Sequence, residues 1–272
     1  MTPRSRTTLP VLAVAFGLLA ANPLAAQQVD GLLRDFQSTG DFILEVDGRE
    51  ARSAEIYRAE VPAFLIIADE LSSPVLVLPA ERAVQTVGFM KVLKRNDGSA
   101  DILADAELAS SGSFTVEGES ISFTVDGKSV QVKPRPFLIG EQDLAGMLGH
   151  SPEYRRKAEA YRPDAAAVAA LKKTAAPVRV RVYFGTWCPF CSQYVPKMLK
   201  VAEQLAGEVD FEFYGLPQGF ADEPAAKRDE VHGVPTGIVY VGGQEIGRLA
   251  VREWENPEGA LRRLVASAAK KG

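Results

Sequence analysis

The chain has 272 residues, 46% of them hydrophobic and 24% charged, with Gly 23 and Pro 17. This is a globular composition with room for one large or two ordinary domains, and it excludes wholesale disorder and a collagen-like repeat. Lys+Arg 31 against Asp+Glu 35 gives a net charge of -4, which excludes a strongly basic nucleic-acid binder; two cysteines cannot staple a fold of this size.

Arg4 and Arg6 make a positive start, Leu9 to Ala21 is apolar apart from Pro10 and Gly17, and the small-residue stretch Asn22-Pro23-Leu24-Ala25-Ala26 follows. That order is the order of a secretory signal peptide, and the apolar run is short for a membrane span of about 20 residues. Residues 1–26 are therefore expected to be cleaved after Ala26. The mature chain is expected in the periplasm or secreted, with no stable membrane anchor.

Residues 30–140 read as strands and turns. Phe42 to Val46 runs into Asp47-Gly48; Ala63 to Ile67 and Val75 to Leu78 are short apolar runs. Phe89 to Leu93 leads to Asn96-Asp97-Gly98, and Phe114 to Val116 precedes Glu117-Gly118. Ile121, Phe123 and Val125 alternate with polar residues, and Asp126-Gly127 turns the chain into Val130 and Val132, the signature of a hairpin. Short strands at this spacing predict a β-rich sandwich or open barrel. This half has no cysteine, histidine or phosphate loop, so it is expected to pack, bind or space rather than catalyse.

The pattern changes at 141–176, which reads as a helical linker. Glu153 to Tyr161 is a charged helix, and Pro163 opens a second that ends at Pro177 and can also be the first helix of the next domain. From 177 to 272 strands and helices alternate. Val178, Val180, Val182 and Phe184 form a strand, Val209 to Tyr214 and Gly237 to Val241 follow, Gly242-Gly243 turns the chain, and Glu258 to Ala269 closes it as an amphipathic helix. A mixed sheet covered by helices buries these faces.

Between the first strand and the first long helix stands Trp187-Cys188-Pro189-Phe190-Cys191. The first-turn N–H groups of a helix favour negative charge, so Cys188 is placed to be a thiolate below the free value of about 8.5. Cys191, one turn later, can attack a disulfide made through Cys188. Trp187 and Phe190 offer an apolar rim. Zinc needs more ligands than two sulfurs, and the histidines are only His150 and His232. A purely structural disulfide closing so short a loop stabilises little.

Residues 178–270 resemble the thioredoxin-like thiol–disulfide oxidoreductase family. Trp187-Cys188-Pro189-Phe190-Cys191 matches its Trp-Cys-x-x-Cys site, Pro196 the helix-kinking proline, Gly233-Val234-Pro235-Thr236 the cis-proline loop and Gly243 the late turn glycine. The resemblance implies an α/β thioredoxin-like C-terminal domain after the β-rich domain. It further implies a redox-active Cys188–Cys191 disulfide, with Cys188 as nucleophile and Cys191 resolving, and no cofactor or metal. Pro235 would be cis beside Cys188, and Trp187, Pro189, Phe190, Val234 and Pro235 would meet the substrate. Val182 departs from the family, whose reductases carry a buried acid there; Glu212 is a weaker substitute and more often a solvent-facing residue. His150 and His232 read as polar surface, Thr236 as a strand-start packing residue, and Tyr194 and Phe220 as packing.

The expected activity is exchange of protein disulfides in the reductase or isomerase direction, the short Cys191-to-Pro235 separation leaving no room for the helical insertion of the oxidase branch. Expected partners are proteins with disulfides or dithiols, a redox partner protein, and a second copy or a held substrate on the β-rich half; nucleic acid is not among them. The competing reading is a non-catalytic peptide-binding or scaffold protein with a redox-sensitive or structural disulfide.

Overall fold

The computed structural model describes residues 35–60 and 62–269; the expected signal segment 1–26 lies outside them. Strands β1 (Phe36–Ser38), β2 (Phe42–Val46), β3 (Arg49–Glu50), β4 (Glu55–Arg58), β5 (Phe64–Ile67), β6 (Val75–Leu78) and β7 (Ala83–Val87) come first. They are followed by β8 (Val92–Lys94), β9 (Ser99–Ile102), β10 (Leu108–Gly112), β11 (Phe114–Glu117), β12 (Ser120–Val125) and β13 (Lys128–Pro134). All pair antiparallel in two sheets, one ordered β10-β7-β6-β5-β4-β1-β9-β8 and the other β11-β12-β13-β2-β3.

The first sheet curls into a half-barrel, and its sequence shows why. Leu65 and Ile66 on β5, and all four residues of β6, are buried, so these strands are apolar on both faces. One face meets Leu44, Phe123, Val130 and Val132 of the second sheet; the other closes on Phe36, Leu76, Val87 and Ile102 within the curl. The hairpin at Asp126-Gly127 is β12–β13, with both turn residues at positive φ. One expected strand differs: Phe89–Lys91 is a 3-10 turn, Met90 is 90% exposed, and only Val92–Lys94 pairs.

The third sheet, ordered β14-β16-β15-β17-β18, is mixed: β14 (Gly140–Gln142), β15 (Val178–Phe184), β16 (Val209–Gly215), β17 (Thr236–Val241) and β18 (Gln244–Arg248). Only β15 and β16 are parallel. The helices are α1 (Leu144–Gly149), α2 (Pro152–Ala160), α3 (Ala165–Lys172), α4 (Pro189–Gln204), α5 (Pro224–Arg228) and α6 (Pro257–Ala269). Ser151 caps α2 and Asp164 caps α3, where the Ala166 and Ala167 N–H groups donate to the Asp164 carboxylate; Pro163 thus precedes the helix.

Alternation along β15 sorts its side chains. Val178, Val180, Val182 and Phe184 face the main core with α4 and α6, while Tyr183 packs with Leu216, Ala226 and Ile238 on the other side. The 141–176 segment, expected as a linker whose second helix can also open the next domain, contributes to this core: β14 pairs with β16, α1 and α2 bring Met147 and Tyr154 against α4, and α3 brings Val168 and Leu171 against α6.

Arg135 joins the two halves. Its Nε donates to Gly40 O at 2.7 Å, Nη2 to Phe42 O at 2.9 Å and Nη1 to His150 O at 2.7 Å. Beyond it the chain crosses β16 so closely that a Cβ on Gly215 would stand 2.1 Å from Leu138 O.

A fragment starting at residue 177 should therefore fail to fold cooperatively. Removing each large core side chain costs about 2–5 kcal/mol, against a total stability of roughly 5–15 kcal/mol for a domain. A fragment starting at residue 136 keeps β14 and α1–α3, and urea unfolding followed by circular dichroism should show a single transition for it alone.

Candidate active site

Cys188 is the N-cap of α4 and Pro189 its first residue, where the missing proline N–H costs nothing. The first-turn N–H groups of Phe190 and Cys191 have no intrahelical acceptor there, an environment that favours negative charge. Cys188 is 8% exposed and Cys191 fully buried one turn inward. The Cys188 thiol donates to Val234 O at 3.6 Å, and the Val234–Pro235 peptide bond is cis. The Gly185 N–H donates to Cys191 Sγ at 3.4 Å, a contact that favours the thiolate, but burial is the larger effect and pushes the Cys191 thiol well up. Gly185 is required here: a Cβ would lie 2.5 Å from the Trp187 ring.

The apolar rim forms from two aromatic pairs, one tilted and one stacked. Trp187 donates its indole N–H to Leu216 O at 2.7 Å and lies 6.4 Å from Phe220, while Phe190, 56% exposed, stacks on Tyr194 at 6.2 Å. The structure thus brings together Trp187, Cys188, Pro189, Phe190, Cys191, Val234 and Pro235. Thr236 starts β17 and donates to Gly233 O at 2.7 Å. His232 is exposed on the loop before it.

Glu212 does not stand in for the acid missing at Val182. It lies on the opposite face of the sheet, 3.2 Å from Arg179 and 3.1 Å from Arg181, whereas Val182 faces the cysteines. Nearest in kind is the phenol of Tyr154 on α2, buried in the same cluster as both cysteines and without a hydrogen-bond partner among the described residues. Burial raises its hydroxyl far above the ordinary value, and the charges of Cys191, Glu153 and Cys188 add to the shift.

Pro196 interrupts the α4 ladder, because it has no N–H to give the Ser192 carbonyl four residues back. Lys157 of α2 supplies the donor instead, at 3.0 Å. Lys157 also pairs with Glu153 at 2.5 Å, and Glu153 accepts from the Gly40 N–H at 3.1 Å. A polar chain therefore runs from the β-rich half to the turn after Cys191. No local pattern in the sequence marks Lys157, Tyr154 or Arg135, since their partners are distant along the chain.

His150, expected as polar surface, is half-buried. Its ring meets Tyr154 edge-on at 5.5 Å, and burial, with the Arg135 charge, lowers its pKa to about 4. It lines a cleft of about 1100 Å³ between the β-rich half and the site, whose walls include Phe42, Val116, Phe137, Thr186, Trp187 and Cys188. Among the described residues no group of three or more His, Cys, Asp or Glu could hold a metal, and no helix is long and apolar enough to cross a membrane.

No family model matches the chain. It is 36% identical over 85 residues to thioredoxin-2 of Saccharomyces cerevisiae, a match covering 31% of this chain and 74% of that protein. Among solved structures it is similar to a protein of unknown function from Pseudomonas aeruginosa, with 19% identity, 48% of this chain and 94% of that chain covered, and a TM-score of 0.37. Fasciola hepatica thioredoxin shows 22% identity, coverage of 35% and 88%, and a TM-score of 0.28.

Two measurements follow from this geometry. Between pH 6.5 and about 4 the unfolded chain protonates His150 while the folded chain keeps it neutral. Folding stability must then fall as pH drops through that window. With partial exposure allowed for, the loss is on the order of 1–2 kcal/mol, and His150→Gln should remove that share of the acid slope in denaturant titrations. Tyr154→Phe deletes only an unpartnered buried hydroxyl, so the melting temperature should hold or rise. A fall of several degrees would mean that the hydroxyl has a partner.

Proposed function

The chain belongs, through its C-terminal domain, to the thioredoxin-like family, and on that premise we propose that it is an exported thiol–disulfide oxidoreductase acting on protein disulfides. The observation that carries this reading is the position of Cys188 at the N-cap of α4, with its sulfur against the Val234 carbonyl. The Cys188 thiolate attacks one sulfur of a substrate disulfide, forming a mixed disulfide and releasing one substrate thiolate. Cys191 loses its proton and attacks Cys188 Sγ, which releases the second substrate thiolate. Two electrons pass to the substrate, and the enzyme leaves with a Cys188–Cys191 disulfide that a redox partner protein must reduce.

The buried, proton-retaining Cys191 suits this order of events. It stays a thiol while Cys188 waits for substrate and becomes a nucleophile once the mixed disulfide places a sulfur beside it. Trp187, Pro189 and Phe190 would support the substrate chain, and the Val234 backbone would pair with it as an added strand. Export rests on the positive, apolar and small-residue order of residues 1–26. The short connection between Cys191 and Pro235 supports the reductase or isomerase direction. The β-rich half would hold substrate or pair with a second copy, raising the local concentration of disulfide without altering the thiol chemistry.

Cys191→Ser should accumulate mixed disulfides through Cys188, detected as adducts by non-reducing mass spectrometry, and Cys188→Ser should form none. Turnover of a protein disulfide should drop at least about a hundredfold in both. Trapping through Cys191 in Cys188→Ser, rather than the reverse, would exchange the two roles.

A further inference from the structure

The cleft beside Cys188 is not used by the thiol chemistry itself, and its walls say what kind of chain can enter. At about 1100 Å³ it exceeds the roughly 300–1,000 Å³ of small-molecule sites. Its apolar wall extends the inner face of the second sheet. Phe42 shares a face of β2 with buried Leu44, and Val116 shares a face of β11 with Phe114, because alternate strand residues point the same way. Leu44 and Phe114 are covered by the first sheet, but at the cleft the covering layer ends. Val116 is 60% exposed there, and Phe137 in the connection between the halves is 49% exposed. An apolar strip on the side of a sheet that elsewhere forms the core marks a surface that is covered by something else.

Charge narrows the occupant. Five carboxylates line the cleft against two guanidiniums, and the Arg135 guanidinium is already spent on three carbonyls. Asp41, Glu60 and Glu119 are exposed and make no ion pair among the described residues. A second copy of this acidic chain would meet like charge. A basic polypeptide with large apolar side chains would satisfy both the strip and the rim.

We infer that this cleft is the docking groove for an extended segment of a disulfide-bearing protein whose reacting cysteine is flanked by Lys or Arg and by large apolar residues. This names the substrate class of the proposed redox site and rests on that reading. A segment lying along Val116 and Phe42 passes Cys188, which is itself part of the lining. The β-rich half then selects the substrate, and the thioredoxin-like domain performs the exchange.

Binding can be measured apart from chemistry. Two fluorescein-labelled linear peptides of about twelve residues, without cysteine and sharing the same Leu and Phe positions, carry either Lys or Glu at the remaining flanking positions. Anisotropy titration with the reduced full chain should show the Lys peptide binding at least about tenfold more tightly at low salt, and the gap should narrow at 0.5 M salt. Glu60→Lys with Glu119→Lys should reverse or abolish the preference. Val116→Ser with Phe137→Ser should weaken both peptides several-fold while leaving their ratio in place. Equal binding of the two peptides, no binding of the Lys peptide, or a preference that survives the charge reversal overturns the groove. Exchange with hydroxyethyl disulfide reads the thiol pair alone: if the reduced protein fails to exchange with it, the redox reading falls while the peptide comparison still decides the groove.

Discussion

The Arg135 guanidinium holds the β-rich half and the thiol site in one arrangement. A planar fork can direct three N–H groups at three fixed carbonyls, those of Gly40, Phe42 and His150, and a lysine ammonium cannot reproduce that geometry. Burial works against the charge and lowers the Arg135 pKa, while Glu50 and Asp41 oppose the shift. The three carbonyls offset the lost hydration. From this tie follow the course of residues 136–139 over Gly215, the bond from the Leu138 N–H to Thr186 Oγ1 at 3.2 Å, and the cleft that ends at Cys188.

A second tie runs beneath the active-site helix. Proline inside a helix leaves a carbonyl without its usual donor, and here the orphan belongs to Ser192, next to Cys191. The Lys157 ammonium fills it, and through Glu153 the same group reaches the backbone of Gly40. Helix α2 is thus bound to the half-barrel and to the first turns of α4 at once. That explains why the segment between the two halves is part of the C-terminal core rather than a tether.

The two sulfurs stand in different environments. Cys188 stands where helix N–H groups converge, and Cys191 lies among apolar side chains with a single N–H contact. Val182, not an acid, faces the cysteines, and Glu212 is drawn to Arg179 and Arg181 across the sheet. A polar group buried in the same cluster as the cysteines is the hydroxyl of Tyr154, on a helix that reaches the site through tertiary packing.

Much of this was readable along the chain. The Cys-Pro-Phe-Cys segment lies in a local pattern whose chemistry follows from strand-to-helix geometry, Pro196 and the Val234-Pro235 loop were legible through the resemblance to the thioredoxin-like family, and the β12–β13 hairpin follows from alternation and an Asp-Gly turn. The half-barrel curl was less legible, because apolar runs such as Val75 to Leu78 say that both faces are buried without saying by what. His150, Lys157, Tyr154 and Arg135 read as ordinary polar, charged or aromatic positions. Their surroundings arise when α1 and α2 pack between a sheet more than a hundred residues upstream of Tyr154 and a helix some forty residues downstream. The sequence by itself determined the reactive pair and the elements that present it, since those depend on neighbours within a turn or a strand. The tertiary structure alone decided the link between the halves, the missing acid's true surroundings and the cleft, since those are set by burial and by contacts between segments that no local spacing connects.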